Sequence, residues 1–524
     1  MRIVDARQYT PTTKWIYAEG VSTETKPTAG LVTGSIFYEL DTGRRLKFEA
    51  ETGKWYSGNE GGGESFEKGM VSVLKSLNFS LWAEKEKHIP PKDVNLYDYD
   101  GTVLYAYSAQ EFLALSDFPA LPAHAGLTAQ GWNWQLATAK TYVENYGVCE
   151  IGASYITEDG KTRAVIEIGE PEGLTVYLKF QQSAANAVSI DWGDGSEAET
   201  TTGTTAAATS HTYAAAGRYV IALTVADGAT MKIGNNGAYQ GGFIGQGNNW
   251  TGRSVLKALY IGAQVPEIST QGLWCQTNLK EVTIPEGVTV LGSRSIETCI
   301  KLKACVIPRG VTVLPDFLFR CDYSLEVLCI PDTVVTFNSV CQTCVNLARV
   351  TIPEGVSSIG GGAFIRCFSA EIINLPNSIY TLGASAFESC YSLLEIRVSE
   401  HVTAIPNKFA RQCHNLRKCE LHSGITSIGA QAFSGNFGLG EFEIPDTVTS
   451  IGDFAFLYND GTIIFHVRPT TPPVIEPTAF TATNVSMTFL VPYSADHSVL
   501  NAYLAATGWA SKGDQIEEEE APAV

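Results

Sequence analysis

The chain has 524 residues, enough for three or four domains, because a single hydrophobic core seldom grows beyond about 250–300 residues. Its formal net charge of −19 excludes non-specific binding to nucleic acid and disfavours anionic membrane surfaces. No stretch approaches the roughly 20 apolar residues of a membrane span, so we expect no membrane insertion.

Residues 1–57 are predicted to form a small β module. Short β runs, Ser35 to Leu40 and Arg45 to Glu49, are followed by Asp41-Thr42-Gly43 and Glu51-Thr52-Gly53, which read as hairpin turns. The succession GSIFYELDTG, an aromatic strand and GKWY resembles small N-terminal domains of phage head-fibre and tail-fibre proteins. That resemblance implies a module that binds a phage capsid or tail protein; the alternative is an unassigned β-meander.

Residues 58–92 begin with a flexible tether, SGNEGGGES, and continue as a predicted helix from about Phe66 to Lys87. Apolar residues recur in the helix at steps of three or four and form one stripe. The stripe either packs within its own domain or joins copies of the chain. We expect a homo-oligomer.

Residues 93–169 are predicted to form an α+β domain that contains the string YDYDGT. Asp98 and Asp100 match the nucleophile motif of the haloacid-dehalogenase phosphatases, in which the first Asp attacks phosphorus. That chemistry also needs a Lys and a later acidic pair, which the following seventy or so residues do not supply. The sequence favours two strands joined by an Asp-Gly turn.

The rest of this domain is predicted to hold a helix from about Leu136 to Asn145 and a second hairpin at Asp159-Gly160. Trp132 and Trp134 could face a sugar, although packing in the core is the stronger expectation. The whole stretch resembles an uncharacterised domain that precedes similar repeats in phage and prophage proteins of gut bacteria.

Residues 170–233 resemble a PKD-type, immunoglobulin-like β-sandwich in VSIDWGDGSEAE and SHTYAAAGRYVIALTV. The resemblance implies a tight turn at WGDG and two final strands whose alternating apolar residues face the other sheet. Asp191 and Asp194 are too few for the six to eight oxygen ligands that calcium prefers, so we expect them to stabilise the turn. The domain would act as a spacer or an adhesion module.

Residues 234–467 contain a repeat of the form LxxVxIPxxVTxIGxxAFxxC, clearest from Leu347 to Cys367. Its opening position recurs every 22 or 23 residues, which predicts a solenoid. Each unit should supply a short strand, a Pro that lacks an N–H donor, a second short strand closed by Gly, and a helical turn at AFxxC. Units this short must stack to share one core.

This repeat resembles the BspA-like, or treponemal, class of leucine-rich repeat, and the resemblance implies adhesion and ligand binding rather than catalysis. Eleven of the twelve cysteines lie in the repeats. Their regular position predicts a packing ladder of free thiols, not a metal site, at seven residues: Cys275, Cys299, Cys321, Cys344, Cys367, Cys390 and Cys413.

Residues 468–516 are predicted to form a C-terminal cap with a helix from about Ser494 to Thr507, and residues 517–524 an acidic tail without structure. No P-loop, nucleophile elbow or zincin motif occurs, so we expect no enzyme activity, no catalytic residue, no metal and no cofactor. Phosphatase activity through Asp98 and Asp100 is a remote alternative.

A binding surface is predicted where residues of the first strand of each unit face outward. These positions vary from unit to unit, and several in the middle units are apolar, which indicates either a partner interface or a face covered by another domain. The candidate residues are Tyr260, Thr283, Val306, Val327, Arg349, Thr351, Ile372, Asn374, Arg397 and Lys418.

The sequence therefore predicts a mostly β, multidomain chain: a small β module, an α+β domain, a PKD/Ig-like sandwich and a leucine-rich repeat solenoid with a cap. The first fifteen residues lack the apolar run of a secretion signal, which favours a phage structural protein over a secreted antigen. We expect a virion-surface fibre or appendage of a tailed phage whose repeats bind a host surface protein or glycan. The alternative is a bacterial or prophage-encoded cell-surface adhesin.

Overall fold

The computed structural model describes residues 93–169, 174–202, 207–234, 242–246, 255–459, 462–481 and 487–521, together with five strands within residues 1–57. The chain divides into two compact units, Met1–Ile89 and Pro90–Val524, which are described separately. The predicted tether and helix of residues 58–92 lie outside the described residues.

The first unit contains a five-stranded sheet in chain order. The pairs are antiparallel except β2 and β3, which run parallel. The strands are β1 (Arg2–Thr10), β2 (Thr13–Gly20), β3 (Ile36–Glu39), β4 (Arg45–Glu49) and β5 (Lys54–Ser57).

The second unit begins with a four-stranded sheet of order β7-β6-β9-β8, flanked by two helices. The antiparallel pairing of β6 with β7 confirms the hairpin predicted at YDYDGT. We call residues 93–157 the middle domain. Its elements are β6 (Val94–Tyr97), β7 (Val103–Tyr107), α1 (Ala109–Leu113), β8 (Leu127–Trp132), α2 (Leu136–Tyr146) and β9 (Cys149–Thr157).

The hairpin predicted at Asp159-Gly160 is wrong. Strand β10 (Thr162–Ile168) does not return along β9 but pairs with β15 (Gly217–Val225) and β18 (Leu256–Tyr260). Its alternating residues Ala164, Ile166 and Ile168 are buried in the core of the following layers, which fixes the strand there. The two-sheet region therefore begins before the predicted boundary at residue 169.

Two sheets form this region, and both continue into the solenoid. One has the order β13-β12-β15-β10-β18-β20 and the other β14-β11-β16-β19-β21, with β17 also on β11. Strands β18 to β21 already belong to the repeats, so the solenoid's first edge is paired rather than open. The remaining strands are β11 (Thr175–Gln182), β12 (Val188–Asp191), β13 (Glu199–Thr200), β14 (Ala207–Thr212), β15 (Gly217–Val225), β16 (Met231–Ile233) and β17 (Ile244–Gln246).

The solenoid has about 11 turns, and one hydrophobic core runs from Ala164 in β10 to Ile516 near the C-terminus. The first strands pair in parallel with a neighbouring turn in five separate sets, four of two strands and one of three. These first strands are β18 (Leu256–Tyr260), β20 (Glu281–Thr283), β22 (Ala304–Val306), β24 (Val327–Cys329), β26 (Arg349–Thr351), β28 (Ile372–Asn374), β30 (Glu395–Arg397), β32 (Lys418–Glu420), β34 (Glu441–Ile444), β36 (Ile463–Val467) and β38 (Met487–Val491).

The second strand of each turn has two residues, and these strands pair in parallel in three separate sets. These strands are β19 (Glu267–Ile268), β21 (Val290–Leu291), β23 (Val313–Leu314), β25 (Thr336–Phe337), β27 (Ser358–Ile359), β29 (Thr381–Leu382), β31 (Ala404–Ile405), β33 (Ser427–Ile428), β35 (Ser450–Ile451) and β37 (Val474–Ile475).

The helical turn predicted at AFxxC is also wrong. In this segment the main-chain N–H groups bond to the next turn of the solenoid, as Phe364 N does to Ala386 O at 2.8 Å. Residues such as Lys408 (φ 56°) and Gln412 (φ 59°) adopt left-handed conformations, which a right-handed helix excludes. The Phe side chains do fill the core, and Phe364 and Phe387 stack at 5.6 Å.

The cysteine ladder needs a correction of register at two positions. Cys275 and Cys321 are half-exposed, and the buried slots in their turns are filled by Gln276 and Asp322. Elsewhere each ladder thiol donates to a main-chain carbonyl of an earlier turn, as Cys390 Sγ does to Phe364 O at 3.2 Å. Burial raises the pKa of these thiols, so they remain protonated donors at neutral pH.

The last residues close the solenoid. The cap contains α3 (Ser498–Ala505), a 3-10 helix (Ala510–Gln515) and β39 (Ile516–Glu518), which pairs in parallel with β38. The prediction of an unstructured acidic tail is therefore wrong for residues 517 and 518. Glu518 also accepts a hydrogen bond from Ser494, and Arg468 forms an ion pair with Glu519.

Candidate binding surface

The front face of the solenoid consists of the outward side chains of the first strands. It includes all ten predicted binding residues, but the structure divides them. The middle domain lies across one part of this face, since strand β9 contacts β20, β22, β24 and β26. We call these four turns the covered half, and the turns of β30, β32 and β34 the open half.

The covered half has an apolar centre. Tyr97 of the middle domain packs with Val306 and Cys329 of the solenoid, and all three are buried. Gly152 permits this approach, because a Cβ atom there would lie 2.6 Å from Val306 Cγ1 and 2.8 Å from Cys329 Cβ. The outward residues Val306 and Cys329 are therefore part of an interdomain contact.

Main-chain carbonyls at the end of the first strands make a second set of contacts. Ile307 and Ile330 precede the corners of their turns, and the residues that would donate to them from the next turn are Pro331 and Pro353, which have no N–H. Asn133 Nδ2 bonds to Ile307 O at 3.2 Å, and Trp134 Nε1 bonds to Ile330 O at 2.7 Å.

The register of the last turns supports this account of the missing donors. There Arg468 occupies the position of the proline, and its N–H bonds to Ile444 O at 3.0 Å. A buried carbonyl without a donor costs about 1–3 kcal/mol. The middle domain thus satisfies acceptors that the repeat itself leaves without a ladder partner.

An ion pair lies at the interface between the two parts. Glu150 Oε1 of β9 is 2.9 Å from Arg349 Nε of β26, and the side chains are 5% and 13% exposed. Burial raises the pKa of Glu150 to about 7, although Arg349 opposes the shift, as do hydrogen bonds from Tyr97 and Asn95. The N–H of Glu150 also donates to Thr351 Oγ1 at 2.9 Å.

Polar contacts surround this centre. Asp332 accepts the N–H of Gln135 at 3.0 Å and Arg309 Nε at 3.0 Å. Tyr146 Oη accepts the N–H of Asn377 at 2.9 Å. The interface therefore combines apolar packing, satisfied carbonyls and a buried ion pair.

The ten predicted residues fall into three groups. Thr283, Val306 and Thr351 are buried and Tyr260, Val327, Arg349 and Asn374 are half-buried, whereas Ile372, Arg397 and Lys418 are exposed. Asn374 Nδ2 donates to Tyr146 O at 3.3 Å, so it marks the border of the middle domain. Of the ten residues, only the three exposed ones are open to a partner.

The open half carries mixed charges. In its parallel register Glu395 faces Lys418 and Arg397 faces Glu420, so opposite charges lie side by side. Lys418 also forms an ion pair with Glu420 within the same strand. All four side chains are exposed. Each of these four charges therefore has a neighbour of opposite sign, and all four side chains remain in contact with water.

The second face of the solenoid is formed by two outward rows: the residue before each second strand, and the first residue of that strand. Between residues 289 and 450 its sixteen side chains are all exposed or half-buried, and none is charged. The first row is Thr289, Thr312, Val335, Ser357, Tyr380, Thr403, Thr426 and Thr449, and the second is Val290, Val313, Thr336, Ser358, Thr381, Ala404, Ser427 and Ser450. This face was not predicted from the sequence, because its uncharged residues occur only two per turn over eight separate turns.

The aspartates of the phosphatase-like string have structural partners. Asp98 is 3% exposed, and its carboxylate accepts the N–H of Tyr99 at 2.9 Å and lies 2.8 Å from His124 Nε2. Asp100 accepts the N–H of Thr102 at 2.8 Å, which stabilises the hairpin turn. The geometry uses both carboxylates for the fold of the middle domain.

The two aspartates of the WGDG turn behave similarly. Asp191 accepts the N–H of Gly193 at 2.9 Å, and Asp194 accepts the N–H of Ser196 at 3.1 Å and lies 2.7 Å from His211 Nε2. Hydrogen bonds from Ser196 and His211 lower the pKa of Asp194 to about 2. These bonds confirm a turn-stabilising role.

Within the described residues, no group of three or more His, Cys, Asp or Glu side chains is arranged to hold a metal ion. In the same part of the chain no helix combines the length and apolar character needed to cross a membrane.

The period of 22 or 23 residues lies within the range of leucine-rich repeats, roughly 20–29 residues. Residues 253–341 and 337–462 match the family model described as BspA type leucine-rich repeat region, in six copies. The chain therefore contains a BspA-type leucine-rich repeat domain, which accounts for less than half of its length. No curated protein matches the chain.

Several solved structures of leucine-rich repeat proteins are similar to part of this chain. A leucine-rich repeat protein from Bacteroides ovatus is 22% identical, with a TM-score of 0.36, over 45% of this chain and 74% of its own. The leucine-rich repeat protein of T. pallidum is 22% identical, with a TM-score of 0.27, over 38% and 83%. A leucine-rich cell surface protein from Faecalibacterium prausnitzii is 23% identical, with a TM-score of 0.28, over 46% and 79%.

Proposed function

We propose that the protein is a non-enzymatic adhesion protein that is displayed on a surface and binds a host surface protein or glycan through its repeats. One observation carries this proposal: the middle domain covers only part of the front face, and the three turns of the open half present exposed charged side chains. The BspA-type repeats support adhesion as the role. The PKD-like sandwich would join this solenoid to the middle domain.

Our first candidate for the location is the virion of a tailed phage. The resemblance of residues 1–57 to fibre domains supports it, and that module would bind a capsid or tail protein. Several copies on one particle, joined as a homo-oligomer, would raise the affinity of weak contacts by avidity. The second candidate is the envelope of a bacterium, where the BspA-type repeat domain would serve a cell-surface adhesin.

Mass spectrometry of purified phage particles and of cell-wall fractions separates these locations. The virion proposal expects peptides of the chain in the particles at a fixed ratio to the capsid protein. Peptides confined to the cell-wall fraction would contradict it and favour the cell-surface adhesin.

Binding through the open half can be tested with the purified chain and host cells. The double reversal Arg397→Glu with Lys418→Glu should reduce cell binding at least about tenfold, because both side chains are exposed on the proposed contact. The matched control is Arg366→Glu with Lys408→Glu, which reverses the same charges on the AFxxC side of the solenoid. Equal losses in both variants would show a response to net charge and sink the assignment.

A further inference from the structure

The second face differs from the rest of the surface in its lack of charge. The chain is 17% charged, so about three charged side chains would be expected among sixteen surface positions, and more on an acidic protein's exterior. The face instead carries Thr, Ser, Val, Ala and one Tyr over eight consecutive turns. Among the large apolar side chains that are most exposed, Val290, Val313, Val335 and Tyr380 all lie here.

Hydrogen bonds along the stack hold this face in register. Thr426 Oγ1 donates to Thr403 O at 3.0 Å, and Thr449 Oγ1 donates to Thr426 O at 3.1 Å. Parallel strands repeat at about 4.8 Å, so eight turns give a strip roughly 34 Å long and only two side chains wide. The result is a narrow and pre-ordered row of hydroxyl and aliphatic groups.

One aromatic ring stands on this strip. Tyr380 is 59% exposed, and its ring packs at 4.6 Å from that of His401, with the planes tilted by 44°. His401 Nδ1 lies 2.8 Å from Asn377 O, which anchors the imidazole beside the tyrosine. A supported, exposed aromatic ring offers an apolar platform to the C–H face of a sugar ring.

We propose that the second face is a binding site for a linear, uncharged polysaccharide. A polyanion or polycation would find no complementary charge on it, whereas hydroxyl groups of a neutral glycan can exchange hydrogen bonds with the Thr and Ser rows. A second copy of the chain fits less well, since a strip this narrow buries less than the roughly 1,200–2,000 Å² of a stable interface. This site is separate from the open half of the front face, so either can fail alone.

The test is affinity gel electrophoresis of the full chain in three neutral polysaccharides, a β-1,3-glucan, a galactomannan and dextran, with alginate as an anionic comparison. We expect retardation by at least one neutral polymer, and dissociation constants at least about tenfold weaker for Tyr380→Ala and for Thr403→Lys. The matched controls are Tyr493→Ala in the cap and Thr224→Lys on β15, both exposed residues away from the strip. They should bind as the wild type does.

Several outcomes would overturn the proposal. These are no retardation by any of the three neutral polymers, stronger retardation by alginate, or equal effects of the strip variants and their controls. Sedimentation velocity supplies another: a dimer of the wild-type chain that Thr403→Lys dissociates would assign the face to self-association. Thermal unfolding of each variant shows whether a loss of binding reflects a loss of fold.

Discussion

The covered and open halves of the front face are built from the same repeat but differ in two ways. The covered half has apolar outward residues, such as Val306 and Val327, and keeps its corner prolines. In the open half the outward residues are charged, and Ser399 and His422 replace proline at two corners. The first difference places apolar side chains against the middle domain and charged side chains in water. The second changes which turns have a main-chain N–H at the corner.

The prolines explain why the middle domain presents particular donors. A corner proline removes one N–H from each turn, so the carbonyl of the previous turn needs a donor from elsewhere. Asn133 and Trp134 provide such donors in the covered half. Where Ser399 and His422 replace proline, the chain retains its own N–H groups and can face water. The third turn of the open half keeps Pro445, so the loss of proline is confined to two of its turns.

The largest effect is expected from Arg349→Ala, which would leave Glu150 buried without its cation. At about pH 9, above the Glu150 pKa of about 7, the carboxylate stays charged, and breaking a buried ion pair in this way typically costs about 3–5 kcal/mol. Urea unfolding should show the loss, and limited proteolysis should cut the middle domain first. Arg397→Ala in the open half is the control and should change the free energy of unfolding by less than about 0.5 kcal/mol. Similar losses in the two variants would contradict the contrast between the halves.

A pH dependence should follow from Glu150. Burial raises its folded pKa to about 7, above the usual value near 4.3 of an unfolded Glu, so the folded state binds the extra proton. Its contribution is therefore complete below about pH 4 and is lost as the pH rises through 7. Each unit of pKa difference is worth about 1.4 kcal/mol. Glu150→Gln should flatten the stability profile between pH 4 and 7.

Asp322 acts in the same direction and provides a reference for this measurement. It fills a buried ladder slot, and burial raises its pKa well above the usual value. Cys299 N donates to its carboxylate at 2.6 Å, the role that Asn436 plays for Cys413 in a later turn. Asp322→Asn should remove its own share of the slope. A profile that neither variant changes would rule out both carboxylates.

The repeat and its strands could be predicted from the sequence because period and alternation are local signals. The position of the middle domain could not. An outward Val306 or Val327 indicates only that something covers the strand, and the sequence left a partner and a domain as equal explanations. Gly152 makes the contact possible, but the residues around it in the sequence show no pattern that predicts a close approach to the solenoid.

Two local errors have physical causes as well. AFxxC has the spacing of a helical turn, but Lys408 and Gln412 adopt left-handed backbone conformations. Such conformations are expected from the sequence mainly at glycine, so they could not be predicted here. The cysteine register failed by one residue at Cys275 and Cys321, because a Gln or Asp that fills the buried slot is invisible to a count of cysteines. Neither error affects the prediction of the repeat or of its strands.

Gly152→Ala should destabilise the contact with the covered half, with a smaller loss in the free energy of unfolding than Arg349→Ala. The added Cβ would lie within 2.6 Å of Val306, and overpacking of this kind costs about 1–3 kcal/mol. Gly440→Ala is the control, since no atom lies within 4 Å of a Cβ at that position beside the open half. Urea unfolding of both variants, with proteolysis of the middle domain, checks the prediction. Loss of stability in Gly440→Ala alone would contradict it.

The smallest effect is expected from Thr351→Val, which keeps the shape of the side chain but removes the oxygen that accepts the N–H of Glu150. A buried N–H without an acceptor should lower the free energy of unfolding by about 1 kcal/mol. Thr488→Val in β38, on the same face but beyond the middle domain, is the control and should be nearly neutral. The difference between the two substitutions in urea unfolding measures the interdomain hydrogen bond, because the chemical change is identical. Equal values would mean that the middle domain gains nothing from Thr351 beyond its shape.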